Sequence, residues 1–199
     1  MNVTLKNNKF TAVVTTHGAE LIDFKDANGV SYIWSGDPAY WSGRNPLLFP
    51  IVGNLKDGKI RMDNQDYFMG RHGFARDMEF DVVDQGDDFV VLELTSNEET
   101  LKKYPRNFVL QVRQTLDDDG FTTAFKVVNK DNQPMPFCIG AHTAFSCPLR
   151  EGESLEDFLL QQSHISQHTF IDLSLQLCDI FKLCHCSILS PERRGKTKG

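Results

Sequence analysis

Over residues 1–130, apolar and polar positions repeatedly alternate with period two. "FTAVVTT" (residues 10–16) and "AELIDFKD" (19–26) flank His17-Gly18, and "VSYIW" (30–34) follows the turn signal "DANG". "KIRM" (59–62) and "DYFM" (66–69) flank Asp63-Asn64-Gln65. "EFDVV" (79–83) and "FVVLELT" (89–95) flank a Gly-Asp-Asp turn, and "NFVLQVRQTL" (107–116) and "FTTAFKVVN" (121–129) flank "DDDG". Alternation of this kind puts successive side chains on opposite faces of a half-buried strand. Only "SNEETLKKY" (96–104) reads as a helix, with Ser96 as cap, acids in the first turn and lysines in the last. Many short strands joined by turns predict an all-β fold, a large antiparallel sandwich. Beyond about residue 160 the pattern fails. Ile171, Leu173, Leu175, Leu177, Ile180, Phe181 and Leu183 fit neither the strand nor the helix period.

Composition narrows the picture. The chain has 199 residues, enough for one domain, and 40% are hydrophobic, enough for a core. The net charge of −6 is unevenly spread. Residues 1–160 hold 24 acidic and 16 basic side chains, and residues 161–199 hold 3 and 5. An acidic body lacks the basic footprint that nucleic acid requires. No run of 18 apolar residues is present and "MNVTLKNNKF" has no signal core, so no membrane role and a cytoplasmic location are expected. Five cysteines, three of them within residues 178–186, do not make a disulfide framework.

Two stretches resist a periodic reading: "RNPLLFPIVGNLKDG" (44–58) and "MGRHGFARD" (69–77). Each sets an arginine, Arg44 or Arg71, beside apolar residues and glycine. His72 in "GRHGF" and His142 in "CIGAHTAF" both have small neighbours that leave room for a ligand. Histidine suits proton transfer near neutral pH, and the planar guanidinium suits hydroxyls, carboxylates or phosphates. A lone histidine near glycines is more often structural than catalytic, the arginines alone read equally as surface loop residues, and His17 reads as a turn residue. Trp34, Trp41, Phe49, Phe74 and Phe145 can form an aromatic wall for a sugar face or simply pack a core. The tail's His164, His168, Cys178, Cys184, His185 and Cys186 lack the paired spacing of a metal site. Phosphate-loop, dinucleotide, zinc-protease and serine-hydrolase motifs are missing.

In order along the chain, "GAEL" (18–21), "YIWSGDPAYW" (32–41), "RNPLLFPIVGNLKDG", "YFMGRHGFARD" (67–77) and "CIGAHTAFSCPL" (138–149) resemble the aldose 1-epimerase, or galactose mutarotase-like, family, most closely its LacX-type branch. The resemblance implies a large antiparallel β-sandwich over residues 1–160, a small-molecule sugar (an aldohexose or sugar phosphate) as ligand, and no cofactor. It implies interconversion of α and β anomers by acid/base ring opening. His142 matches the family's general acid, His72 its second active-site histidine and Arg44 its substrate-binding arginine, with Arg71 as a further substrate-binding candidate. The family's base is a glutamate in a C-terminal third that no stretch here matches. Residues 161–199 are therefore expected to be an atypical tail, poorly ordered or without a family counterpart, and the activity to be impaired. The alternative is a noncatalytic carbohydrate-binding β-sandwich or an inactive remnant.

Overall fold

The computed structural model describes residues 1–154, 156, 158–162, 170–172, 177–182 and 186–189. Its elements are β1 (Asn2–Lys6), β2 (Phe10–Thr15), β3 (Leu21–Asp26), β4 (Leu47–Leu48), β5 (Lys59–Met62), β6 (Gln65–Phe68), β7 (Asp81–Gln85), β8 (Phe89–Thr95), α1 (Glu98–Lys103), β9 (Phe108–Leu116), β10 (Phe121–Asn129), β11 (Gly140–Ala141), β12 (Leu159–Gln162), β13 (Phe170–Asp172), β14 (Leu177–Lys182) and β15 (Cys186–Leu189). The expected all-β fold is what forms. A three-stranded sheet, β1-β2-β3, lies against a six-stranded sheet ordered β13-β14-β10-β9-β8-β7, with β1 and β2 over β8 and β9. The strand ladders are antiparallel. Among the described residues no helix is long and apolar enough to cross a membrane.

The alternation in sequence becomes the core. On β9, alternate residues Phe108, Leu110, Val112, Gln114 and Leu116 are buried, and β8 contributes Val90, Leu92 and Leu94. Leu5, Ala12, Val14 and Leu21 face them from the smaller sheet. Each such side chain stabilises by about 1.5–3 kcal/mol when fully buried. The polar exception, Gln114, is satisfied: its Nε2 donates to Ala19 O at 3.1 Å and Thr123 Oγ1 donates to its Oε1 at 2.6 Å.

Turn chemistry sets the registers. Asp63 and Asn64 both take positive φ, 50° and 63°, closing the β5–β6 hairpin in two residues of the types that tolerate this conformation. The Asp63 carboxylate also receives Arg106 Nη1 at 2.6 Å and Nη2 at 3.1 Å, and the guanidinium holds its pKa below the ordinary carboxylate value.

Two local expectations need correction. The helix cap is Asn97, not Ser96: its Oδ1 accepts from Glu99 N and Thr100 N, and Thr100 Oγ1 answers the Asn97 N–H. Residues 30–34 form isolated bridges, Lys25↔Ser31 and Ile33↔Phe145, rather than a strand. Of the two readings of Phe49 and Phe74, ligand wall or core, the structure shows the core. They are core residues, 0% and 3% exposed, with their rings 6.4 Å apart and both packed on Phe108. Of the tail's candidate ligands, His164, His168, Cys184 and His185 lie outside the described residues.

Candidate active site

The first aperiodic stretch is a strand in all but period. Residues 45–51 are buried without interruption, so no alternation appears in their sequence. One edge bonds to the chain around β11. Cys138 N donates to Pro50 O at 2.8 Å, Gly140 and Ala141 pair with Leu48 and Leu47, His142 N donates to Pro46 O at 3.1 Å, and Ala144 N donates to Arg44 O at 2.7 Å. Prolines are tolerated because the ladder uses their carbonyls here, not the N–H they lack. The other edge bonds to the second aperiodic stretch. Phe74 N and Ala75 N both donate to Phe49 O, at 3.0 and 3.2 Å. His72 N donates to Gly53 O at 2.8 Å, while Gly53 N donates to His72 Nδ1 at 2.9 Å. Residues 44–53 therefore carry His142 on one flank and His72 on the other, with Arg44 at the end of the His142 ladder.

Gly73 permits the second contact. A Cβ there would lie 2.2 Å from Phe49 O, and its φ is +76°. His72 itself has φ +68°, an uncommon conformation for a side-chain-bearing residue, and the two bonds to Gly53 hold it. Partial burial lowers the His72 pKa from its ordinary value. The positive charges of Arg71 and Arg76, and then His142, lower it further. The ring is neutral at pH 7. Since Nδ1 accepts from Gly53, the proton of the neutral ring sits on Nε2.

Arg44 is half-buried. Its Nη2 donates to Ser35 O at 2.6 Å, and its guanidinium lies over Gly36, where a Cβ would approach Cζ to 2.6 Å. His142 is exposed and lies against the Trp41 ring, with centroids 5.1 Å apart at 36°. Trp41 O accepts from Trp34 Nε1 at 2.8 Å, which anchors the loop that carries it. Of the expected aromatic wall, Trp41 is the member in ring contact with a candidate residue. Arg71 is exposed beside His72, with its Nε 3.0 Å from Nε2.

Glu20 escaped the sequence reading. Its Oε1 accepts the backbone N–H of Arg44 at 2.8 Å and of Asn45 at 2.6 Å. Asn45 Oδ1 in turn accepts from Thr143 Oγ1 at 2.5 Å. A carboxylate on the β2–β3 connection thus ties together the strand ends bearing Arg44 and His142. In "GAELIDF" the glutamate stands between Ala19 and Leu21, both buried in the fold, and nothing local in the sequence marks it as an acceptor for residues 44 and 45.

Among the described residues no group of three or more His, Cys, Asp and Glu side chains is placed to hold a metal ion. The arrangement offers two imidazoles and two guanidiniums around one rigid segment, a set suited to gripping a polyol and moving protons.

The sequence profile of the aldose 1-epimerase family matches residues 1–178. The chromosomal LacX protein of Lactococcus lactis subsp. lactis is 39% identical over 171 residues, covering 83% of this chain. The chain spans 57% of that relative's length. Among solved structures, a galactose mutarotase related enzyme from Lactobacillus acidophilus superimposes with a TM-score of 0.78 at 36% identity, over 81% of this chain and 54% of that one. A galactose mutarotase-like protein from Lactobacillus casei ATCC 334 superimposes with a TM-score of 0.76 at 31% identity, over 96% and 76%. Sequence and fold agree, and the chain belongs to the aldose 1-epimerase family as a member of LacX type.

Proposed function

We propose that this protein interconverts the α and β anomers of an aldohexose in the cytoplasm, with His142 as general acid, His72 as hydrogen-bond donor to the sugar, Arg44 as its anchor and Arg71 as a further contact. The observation that carries this reading is the double edge of residues 44–53, which ties the His142 and His72 segments to one strand. In the reaction a base takes the C1 hydroxyl proton while His142 protonates the ring oxygen, and the C1–O5 bond breaks to leave an open-chain aldehyde. Rotation about C1–C2 and the reverse proton transfers close the ring on the other face, with no net change in atoms or charge. His72 Nε2–H and the Arg44 guanidinium are donors for sugar oxygens, and the Trp41 ring offers an apolar face to the sugar's C–H surface.

A second reading, sugar binding without turnover, is favoured by one observation. Among the described residues no carboxylate is hydrogen-bonded to His72 or His142. A positioned acid or base each contributes about 10²–10⁴-fold, so acid catalysis without a base is expected to be slow. The test is polarimetry on freshly dissolved α-galactose and α-glucose, with His142→Ala as control. Rates far below those of a full-length relative, but above the control, are expected. Fast rates abolished in His142→Ala would show that a carboxylate of this chain serves as base. If saturation-transfer NMR detects no sugar binding, both readings fall.

A further inference from the structure

Gly140 is a glycine that neither its backbone nor its packing requires. Gly73 is the contrast, with positive φ and no room for a Cβ. The φ of Gly140 lies outside the left-handed region. A Cβ there would meet Val52 Cγ2 at 3.5 Å and Leu48 Cδ1 at 3.8 Å, both ordinary van der Waals distances. Alanine would fit, and it would lose less chain entropy on entering a strand. What glycine provides at this position is open space.

The ladder around β11 fixes the face on which that space lies. Gly140 stands opposite Leu48, and the bonds from His142 N to Pro46 O and from Ala144 N to Arg44 O continue the register. Opposed residues share a face, as do alternate residues along a strand. Arg44, Leu48 and Val52 are therefore on the face of Gly140 and His142. The other face carries the Asn45–Thr143 hydrogen bond and the core residues Leu47, Phe49 and Ile51. Val52 breaks the burial of its segment. Residues 45–51 are buried, whereas Val52 is 49% exposed, one position before the glycine that clasps His72. Between His142 at one end and His72 at the other lies a notch with an apolar bottom, made by Gly140, Leu48 and Val52. Its centre is one strand repeat, about 7 Å, beyond His142.

We infer that Gly140 and Val52 form the specificity-determining floor of the sugar site: the glycine leaves the space, and the valine offers an apolar contact to ring C–H groups. The inference rests on the sugar-site reading given above. A pyranose with its ring oxygen at His142 and hydroxyls reaching towards His72 must cross this floor, and the carbons farthest from the ring oxygen, around C3 and C4, come to lie over it. Galactose and glucose differ only at C4. An axial 4-hydroxyl gathers the C–H groups of C3, C4 and C5 into one apolar patch that matches the valine, and an equatorial one breaks the patch. The floor therefore reads the configuration at C4. An apolar contact of this size discriminates modestly, by tens of fold rather than thousands.

The experiment titrates galactose and glucose into the full chain and its variants. Binding is followed by saturation-transfer NMR, and the fold by melting temperature and the His72 ring signals. Gly140→Ala is expected to melt no lower than the parent, yet to bind galactose about tenfold more weakly, because the added methyl group fills the space meant for the ligand. Val52→Thr keeps the shape and exchanges a methyl for a hydroxyl. It is expected to weaken galactose about fivefold and glucose little, with the His72 signals unmoved. Val83→Thr, on β7 and likewise 49% exposed in the parent, is expected to bind both sugars as the parent does. The proposal is overturned if folded Gly140→Ala binds galactose undiminished, if Val52→Thr changes both sugars by the same factor or glucose by the larger one, or if Val83→Thr reproduces the effect. Any of these results with sugar bound to the parent removes the floor and leaves the sugar site standing. A parent that binds neither sugar removes both.

Discussion

Strand β9 and residues 44–53 are each hydrogen-bonded along both edges, yet they are built on different terms. β9 pairs with β8 and β10 over nearly its whole length, and its buried residues alternate with less buried ones. Its partners need only be extended and apolar on the correct face, and many sequences meet that demand. Within residues 44–53, positions 45–51 are buried continuously, and the partners are two irregular segments met at chosen carbonyls. Specificity there lies in individual residues: Gly73 against Phe49 O, Gly36 under Arg44, and Glu20 on two backbone N–H groups. The sheet supplies stability by area, and the site segment supplies position by exception.

The largest effect is expected in the sheet. Leu110 is fully buried on β9, and Leu110→Ala should cost about 2–5 kcal/mol by removing apolar contacts and leaving a cavity. Urea denaturation should show the loss as one cooperative shift, while the His72 ring signals of the folded protein stay where they are. A folded Leu110→Ala protein with altered His72 signals would show that the two regions are not separable. Gly73→Ala should cost less overall, about 1–3 kcal/mol from the left-handed backbone alone, with a further penalty from the clash at Phe49 O. Its signature is local. The His72 and Gly53 amides should lose hydrogen-exchange protection while β8 to β10 keep theirs. Uniform loss across the sheet would erase the distinction.

What could be read in advance follows the same division. Strands β2, β5, β8, β9 and β10 announce themselves because their hydrophobic period is local. Residues 30–34 look the same but end as bridges, since one of their partners, the chain near Phe145, is more than a hundred residues away and touches them only in passing. Arg44, Arg71, His72 and His142 stood out as polar residues among glycines and aromatics, and by their match to a family pattern. Phe49 and Phe74 were left open between wall and core because an aromatic beside a candidate site reads the same whether it faces ligand or core. Glu20 went unseen because its role is to accept backbone hydrogens 24 and 25 residues away, which no local pattern encodes.

Glu20 supplies the next test. Glu20→Ala leaves the N–H groups of Arg44 and Asn45 without that acceptor, and Asn45 is only 7% exposed. Since Glu20 itself is half-buried and water can partly replace it, the stability cost should be about 1 kcal/mol, the low end for such a loss. The functional cost should be larger in proportion, because Arg44, Asn45, Thr143 and His142 are linked through it. Sugar binding followed by NMR should weaken while the melting temperature barely moves, and Glu20→Gln, which keeps one carbonyl oxygen, should recover much of it. Equal damage from both variants would make the negative charge, not the acceptor, the essential feature.

The smallest effect, and the finest probe of the site segment, is the protonation of His72. Its pKa lies below the ordinary value of 6.5, first because the ring is partly buried and then because Arg71, Arg76 and His142 disfavour another positive charge. Protonation also demands a hydrogen on Nδ1, where Gly53 N–H already points, so the clasp between residues 53 and 72 must open for the proton to enter. The folded state therefore binds fewer protons than the unfolded chain in the interval between the lowered pKa and 6.5. Stability from this group is fully present above 6.5, falls as pH drops through that interval, and is wholly lost below the folded pKa. Other groups titrate lower: the carboxylates of Asp63, Asp66 and Glu79 have pKa values lowered from ordinary values of 3.8 to 4.5, so their contributions fade only in more acid solution. His72→Asn is the control, because asparagine tolerates the left-handed backbone at this position but carries no titrating ring. Melting temperatures measured from pH 7.5 to 5 should fall more for the parent than for His72→Asn, with the difference accruing below 6.5. The Gly53 amide should lose exchange protection over the same interval, while amides at the centre of β9 do not. Parallel melting curves for the two proteins would mean that the clasp survives protonation and that the ring is held by something other than Gly53.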